Sequence, residues 1–133
     1  MKKIALLLAL SLPVLANPAV FSKYESVRQG FLKNKLVDVN KNAAALAAEA
    51  RTAGNESVAT LADAVAKVPD MAKARTAFAA LSNEMIKQRA TATGAKPAVY
   101  HCPMVEKSWL QPKGKVGNPY DASMATCGTL KTE

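Results

Sequence analysis

The sequence has few of the residues that most active sites and metal centres use. Its 133 residues include one histidine, two cysteines and one tryptophan. Acid–base and nucleophilic catalysis need a base beside a nucleophile, or paired carboxylates, and the carboxylates of this chain are not clustered. Structural zinc sites usually take four cysteine or histidine ligands, one more than the chain contains. We therefore expect that the protein is not an enzyme and has no closed zinc centre, and the haem-attachment pattern C-x-x-C-H is absent as well.

Clustered positive charge is also lacking, although the chain is basic. The formal net charge is +8, and the lysines and arginines are spread along the sequence without a run. A nucleic-acid-binding surface is typically a basic patch with aromatic side chains for base stacking. We therefore expect no nucleic-acid partner.

Long apolar runs are scarce, and the one near the N-terminus is short. Lys2 and Lys3 precede the apolar residues 4–15, and Ala16 follows them. A positive start, an apolar stretch and a small residue at the end are typical of a secretory signal peptide, here residues 1–16. About 12 apolar residues are fewer than the roughly 20 that span a membrane. The sequence predicts a periplasmic or secreted protein that does not span the membrane once the signal is removed.

Helical periodicity dominates residues 17–95. Apolar residues recur there at spacings of three and four in four consecutive segments, which predicts four helices with short connections. Ser22 and Glu25 resemble a capping box at the start of the first helix. Gly54 is a typical residue after the end of the second helix, and Asn55 can cap the third.

The last part of the chain, residues 96–133, has a different composition. Helical periodicity stops, and four prolines and three glycines interrupt this segment. Short connections between four helices favour an up-down antiparallel arrangement. We therefore predict an all-α fold, in which an up-down four-helix bundle (17–95) carries a C-terminal, loop-rich or short-stranded cap (96–133). The cap is expected to pack on the bundle within one domain.

Sulfur-containing residues are concentrated in two short motifs of this cap, "YHCPM" and "SMATCG". Cys102 precedes a proline, which favours an extended conformation, so Cys102 and Met104 can face the same side. Met124 and Cys127 are three residues apart and share a face in a helical turn. His101, the single histidine, lies beside the first pair. The two motifs could thus bring together two thiols and two thioethers.

Two chemical interpretations of these motifs stay open. Thiolate and thioether ligands select Cu(I), and Ag(I) by the same softness. In an oxidising compartment the two cysteines can instead form a disulfide, with the methionines packed beside it. Closing a loop of about 26 residues would contribute roughly 3.5 kcal/mol. Spacing slightly favours the disulfide, and a reduced pair could still bind Cu(I) while the oxidised pair stores the metal-free form.

The cap resembles a known family. Its motifs match, in order, the signature C-P-M … W-L … N-P-Y … M-x-x-C-G of a small periplasmic domain of unknown function, and "RTAFAALS" resembles a segment of that domain's last helix. The domain occurs alone and also fused to adaptor (membrane-fusion) subunits of heavy-metal efflux pumps. The matching residues are Cys102, Pro103, Met104, Trp109, Leu110, Asn118, Pro119, Tyr120, Met124, Cys127 and Gly128 in the cap, and Arg75, Phe78, Leu81 and Ser82 in the bundle.

The resemblance implies copper or silver handling. We therefore expect an exported protein that sequesters Cu(I) or Ag(I), or delivers it to a heavy-metal efflux adaptor or a metallochaperone. The expected ligands are Cys102, Met104, Met124 and Cys127, with His101 as a further donor. The alternative is a structural or interaction module, stapled by a disulfide, that docks a partner such as an efflux adaptor.

The other matching residues have structural interpretations. Trp109 is expected to pack the cap onto the bundle, and residues 118–120 to form a turn with an anchoring aromatic ring. Arg75 and Ser82 are expected to tie the cap to the last helix through hydrogen bonds.

Overall fold

The four predicted helices are present and follow one another closely. The computed structural model describes residues 16–133, so the predicted signal peptide, residues 1–16, lies outside the described residues except for Ala16. Across this described range, no helix has both the length and the apolar character needed to cross a membrane. The helices are α1 (Pro18–Leu32), α2 (Leu36–Thr52), α3 (Glu56–Ala66) and α4 (Met71–Arg89).

Helix α1 begins one turn earlier than the capping box predicted. Asn17 is the N-cap, and its side chain accepts a hydrogen bond from the N–H of Val20 at 3.0 Å. Proline follows at the first helical position, where its missing N–H and fixed φ are favourable. Ser22 therefore lies inside the helix, and Glu25 pairs with Arg28 instead of reaching back to a cap. The prediction of the helix start was wrong because Asn17 and the following proline act together as the stronger start signal.

The boundary between α2 and α3 agrees with the sequence prediction. Gly54 follows the end of α2 with a φ of +73°, a left-handed conformation that glycine adopts without strain. Asn55 then caps α3, and its side chain accepts from the N–H of Val58. The end of one helix and the start of the next thus follow from two adjacent residues.

Small residues let the first helices approach closely. The predicted stripe on α2 is buried at five positions, three of which are alanine. On the facing helix, a Cβ added to Gly30 would lie 3.0 Å from the main-chain nitrogen of Val39, so glycine allows the two backbones to meet there. The buried residues of the α2 stripe are Val39, Ala43, Leu46, Ala47 and Ala50.

The prediction of an all-α fold was wrong, because the cap forms a sheet. Three antiparallel strands are ordered β2-β1-β3, so the protein combines four helices with a three-stranded sheet. His101 pairs with Ser108 across β1 and β2, and Val99 and Tyr100 flank an irregularity in the pairing with β3. The strands are β1 (Ala98–Cys102), β2 (Lys107–Gln111) and β3 (Thr129–Thr132).

The sheet escaped detection because its strands lack the usual alternation. Four of the five residues of β1 are buried and all four of β3 are exposed, so neither strand alternates between apolar and polar residues. The pairing of β1 with β3 also joins residues nearly thirty positions apart, such as His101 and Thr129. Local periodicity carries no information about such a contact.

One tyrosine hydroxyl joins the sheet to the helices. The Tyr24 side chain, on α1, is fully buried. Its oxygen accepts from the N–H of Leu110 in β2 at 3.2 Å, and it lies 2.7 Å from the Ser82 hydroxyl on α4. Either hydroxyl of the Tyr24–Ser82 pair can be the donor of their shared hydrogen bond. Three elements meet at a single side-chain atom.

Aromatic packing surrounds this junction. The ring of Phe78, on α4, lies 5.0 Å from that of Tyr24, 4.8 Å from Phe31 and 5.8 Å from Tyr120 in the cap. Such ring pairs are favourable beyond the area that they bury. One apolar cluster therefore includes residues of the helices and of the sheet. Met85 is fully buried within it.

Burial of two phenols predicts a loss of stability at alkaline pH. Burial raises the pKa of Tyr24 above its ordinary value of 10.0, and burial raises the pKa of Tyr120 in the same direction. Above about pH 10 the unfolded chain releases these protons while the folded protein keeps them. The free energy of unfolding should therefore fall as pH rises, by up to about 1.4 kcal/mol per pH unit for each tyrosine.

The two tyrosines together cause this fall in the free energy of unfolding. We expect Tyr24→Phe to remove the part that Tyr24 contributes, which is about half. The measurement is urea unfolding at a series of pH values from about 8 to 12. Ser82→Ala is the matched control, because it breaks the same hydrogen bond but keeps the ionisable phenol. Ser82→Ala should lower stability at neutral pH and keep the alkaline slope. An unchanged slope in Tyr24→Phe would contradict the prediction.

Candidate functional site

The two cysteines are joined in a disulfide. Cys102 is the last residue of β1 and is fully buried, and Cys127 lies just before β3 and is partly buried. Their Cα atoms are 5.4 Å apart, and the bond closes a sequence separation of 25 residues. It joins adjacent strands where β1 ends and β3 is about to begin. The expected disulfide is therefore present, and both thiols of the chain are used in it.

The methionine of the first motif does not share the buried face of its cysteine. Strand β1 ends at Cys102, and the next four residues turn towards β2, with Glu106 at a φ of +53°. The rule that residues i and i+2 face the same side holds only within a strand. Cys102 is fully buried, whereas Met104 is 71% exposed at the tip of the hairpin.

The methionine of the second motif lies one helical turn before its cysteine. Met124 ends a short 3₁₀ helix, Ala122–Met124, and is half-buried. The N–H of Cys127 donates to the carbonyl oxygen of Met124 at 2.9 Å, which closes one turn. These two sulfur-containing residues are thus neighbours through the main chain.

His101 is directed to a cross-strand partner. Within β1 it alternates with the buried residues Tyr100 and Cys102, so its side chain lies on the opposite face of the sheet. Its Nδ1 atom is 2.7 Å from the hydroxyl of Ser108, the residue that pairs with it in β2. Any further bond of this imidazole must therefore use Nε2 or displace Ser108.

The disulfide decides which sulfur ligands are available. While Cys102 and Cys127 are bonded to each other, neither supplies a thiolate, and the predicted two-thiolate ligand set exists only after reduction. Within residues 16–133, no group of three or more histidine, cysteine, aspartate or glutamate side chains is close enough to hold a metal ion.

A second feature of the cap is the loop 112–128, which is held by side-chain hydrogen bonds. Asn118 accepts from the N–H of Tyr120 at 2.8 Å and donates to the carbonyl oxygen of Cys127 at 3.3 Å. The Tyr120 hydroxyl donates to the carbonyl oxygen of Ser108 at 2.8 Å, and its ring contacts that of Trp109. Residues 118–120 thus form the expected turn with an anchoring ring.

Trp109 is fully buried, and its ring packs against those of Tyr100 and Tyr120 in the cap, whereas it was expected to pack the cap onto the bundle. A Cβ added to Gly128 would lie 2.7 Å from the Trp109 ring, so the glycine next to Cys127 lets the chain pass over the indole. The indole N–H donates to the side-chain oxygen of Gln111 at 2.9 Å. A packing role therefore accounts for both residues.

Arg28 and Gln111 are the important residues that sequence reasoning missed. Arg28 is 4% exposed, forms two hydrogen bonds to Glu25 at 2.6 and 2.7 Å, and donates to the carbonyl oxygen of Gly117 at 2.7 Å. Gln111 is 1% exposed; its oxygen accepts from the N–H of Gly117 and its amide donates to the carbonyl oxygen of Lys115. Arg28 and Gln111 are 83 positions apart, so no local pattern indicates this connection.

Two of the four bundle residues of the family signature, Arg75 and Ser82, were expected to bond the cap, and they differ in how they connect to it. Ser82 reaches it through the Tyr24 hydroxyl described above. Arg75 instead donates to the side chain of Asn34, in the turn between α1 and α2, at 3.1 Å. Hydrogen bonds from Ser123 hold the pKa of Asp121 below its usual range, with a smaller contribution from the charge of Arg75. The hydrogen bond of Arg75 is thus made to the turn between α1 and α2, whereas it was expected to reach the cap.

A surface groove lies at the start of α1, and Leu110 of the family signature is among the residues that line it. It has a volume of about 410 Å³ and lies between the first turns of α1, the segment before β1 and the end of β2. Phe21, Leu110 and Pro112 contribute to its apolar wall, and Ser22 and Lys96 contribute polar groups. We call it the α1 groove.

Comparisons with models of protein families, with curated proteins and with solved structures find no match to this chain. The resemblance of the cap motifs to the periplasmic domain family therefore stays a prediction. The function proposed below rests on the geometry of the described residues and on that resemblance.

Removal of the disulfide should destabilise the protein. We expect the double variant Cys102→Ala/Cys127→Ala to lose about 3.5 kcal/mol of unfolding free energy, because the bond restricts the unfolded chain over a loop of this size. Urea unfolding measures the difference. A thiol reductant should lower the stability of the wild type by a similar amount and leave the double variant unchanged. Equal stability of the oxidised wild type and the double variant would contradict the prediction.

Proposed function

We propose that the protein is an exported interaction module, stapled by a disulfide, that docks a partner such as the adaptor subunit of a heavy-metal efflux pump. The disulfide between Cys102 and Cys127 is the observation that carries this proposal. It commits both thiols of the chain to a structural bond. The bond fixes the surface around it. A protein that binds a partner by shape needs a fixed surface, because the entropy lost when loops become ordered on binding opposes association.

The surface beside the disulfide is well ordered by buried contacts. Arg28 is bonded to Glu25 and Gly117 and ties the loop to α1, and Gln111 ties the first part of the same loop to β2. The hairpin tip with Met104 projects from this supported region. Methionine is enriched in the central parts of protein interfaces, where its flexible thioether adapts to the partner.

The class of partner comes from the resemblance. The periplasmic domain that the cap motifs resemble is also found fused to heavy-metal efflux adaptors, so a free copy is expected to meet such an adaptor in the same compartment. Export in turn supplies the oxidising environment in which the disulfide persists. The proposed localisation is therefore periplasmic or secreted.

Substitution at the hairpin tip tests the docking proposal. Met104→Ser should weaken binding to a purified efflux adaptor by about tenfold, as expected for loss of a central interface side chain. Binding is measured by calorimetry with oxidised protein and a metal chelator present. Val37→Ser is the matched control, because Val37 is a similarly exposed apolar residue, 78% exposed, on α2. Failure of the oxidised wild type to bind, or equal loss in both variants, would overturn the proposal.

Binding of Cu(I) or Ag(I) by the reduced protein is a second candidate function. The specific observation in its favour is the turn between Met124 and Cys127, whose main-chain hydrogen bond keeps a residue with a thioether and a residue with a thiol one turn apart once the disulfide is reduced. Such soft donors suit these ions as cargo for an efflux component.

Competition for Cu(I) against a chelator separates the two candidates. If the second holds, reduced protein should compete and oxidised protein should not, and Met104→Leu and Met124→Leu should each weaken the affinity. Met71→Leu, on α4, is the control. Met104→Leu is also informative in the docking assay, because it keeps the apolar side chain and should retain adaptor binding. Reduced protein that fails to compete would exclude the Cu(I) function.

A further inference from the structure

The α1 groove combines an apolar wall with the positive charge of one lysine side chain. Its wall includes the side chains of Pro18, Phe21 and Pro112, and the Leu110 side chain lies buried behind them. The volume of about 410 Å³ lies in the range of roughly 300–1,000 Å³ that is typical of small-molecule sites. Sites of this kind usually place a few polar groups at one end of an apolar cavity, and these orient the ligand.

The acidic residue of the groove does not compensate this charge. Glu25 lines the groove, but both of its carboxylate oxygens are hydrogen-bonded to the guanidinium of Arg28. The Arg28 side chain is buried and forms an ion pair with Glu25. Together they add no net charge to the groove.

Lys96 supplies the positive charge. Its ammonium donates to the carbonyl oxygens of Arg89 and Ala92, each at 3.3 Å, at the end of α4. Within residues 16–133 it forms no ion pair with a carboxylate. The N-terminus of α1 lies at the same groove through Pro18, and the first turn of α1 carries no acidic residue. The carbonyl oxygens that Lys96 bonds lie at the negative end of the α4 dipole and offset part of its charge, whereas the positive end of the α1 dipole adds to the charge that remains.

We propose that the α1 groove binds a small apolar molecule with one carboxylate, such as a medium-chain fatty acid. The alkyl chain would lie against Pro18, Phe21 and Pro112, and the carboxylate would accept a hydrogen bond from Lys96. A peptide fits this wall less well, because its main-chain N–H and C=O groups would lose water against apolar side chains without new partners. This site is separate from the hairpin tip and does not depend on the docking function.

Two amphiphiles with the same tail test the proposal. Dodecanoate should bind one molecule per chain in calorimetry below its micelle concentration, and dodecyltrimethylammonium should bind about tenfold more weakly or not at all, because its charge is reversed. Chemical-shift changes in the nuclear magnetic resonance spectrum should be confined to residues of the groove. Equal binding of the two amphiphiles would overturn the proposal, since it would show apolar adsorption without recognition of the carboxylate.

Variants of the groove add an independent check. Ser22→Phe, at an exposed position that lines the groove, should fill it and abolish dodecanoate binding while thermal unfolding stays unchanged. Lys96→Gln should weaken binding by about tenfold and keep a donor for the end of α4. Lys23→Gln is the control, because Lys23 is an exposed lysine of α1 outside the groove lining. Wild-type affinity in Ser22→Phe, or tighter binding of an apolar peptide than of dodecanoate, would overturn the assignment.

Discussion

The hydroxyl of Tyr24 is the contact on which the relation between helices and sheet depends. It is fully buried and joins α1 to α4 through Ser82 and to β2 through the N–H of Leu110. A buried N–H without a partner costs free energy comparable to a lost hydrogen bond, so the sheet has one favourable position against the helices. The stacking of the Tyr24 and Phe78 rings supports the same position from the apolar side.

The cap then needs two further connections, because its loop has little regular structure. The disulfide holds the end of this loop to β1, and the Arg28 guanidinium holds its middle to α1 through Gly117. Arg28 can be buried there only because Glu25 neutralises its charge with two hydrogen bonds. The same ion pair explains why the α1 groove keeps a net positive charge although a glutamate lines it.

The helices were predictable from the sequence where a local pattern determines them. The stripe from Val39 to Ala50, the left-handed Gly54 and the capping Asn55 are all set by residues within one or two turns of each other. The start of α1 was predicted one turn too late, because a capping-box pattern at Ser22 competed with the stronger Asn17 cap. The sheet, and with it the fold class, could not be predicted from local sequence patterns. Its pairing joins distant segments, and a strand such as β1, buried at nearly every position, has no period of two.

The candidate site was predictable in part. That Cys102 and Cys127 could meet followed from the export signal and from there being only two cysteines. The side on which Met104 would lie did not follow, because the chain turns directly after Cys102 and the extended conformation ends there. Arg28 and Gln111 gave no signal at all, since an isolated arginine on a helix and a glutamine at a strand end are usually solvated.

The position of the disulfide also determines how the chain carries mechanical load. Cys102 ends β1 and Cys127 precedes β3, so the bond connects two neighbouring strands directly and bypasses everything between them. A pull transmitted along the chain passes from β3 to β1 through the sulfur atoms. The hairpin tip, β2 and the loop with Asn118 and Tyr120 therefore lie outside the path of tension. A surface that docks a partner from this segment would keep its shape while the rest of the protein is under strain.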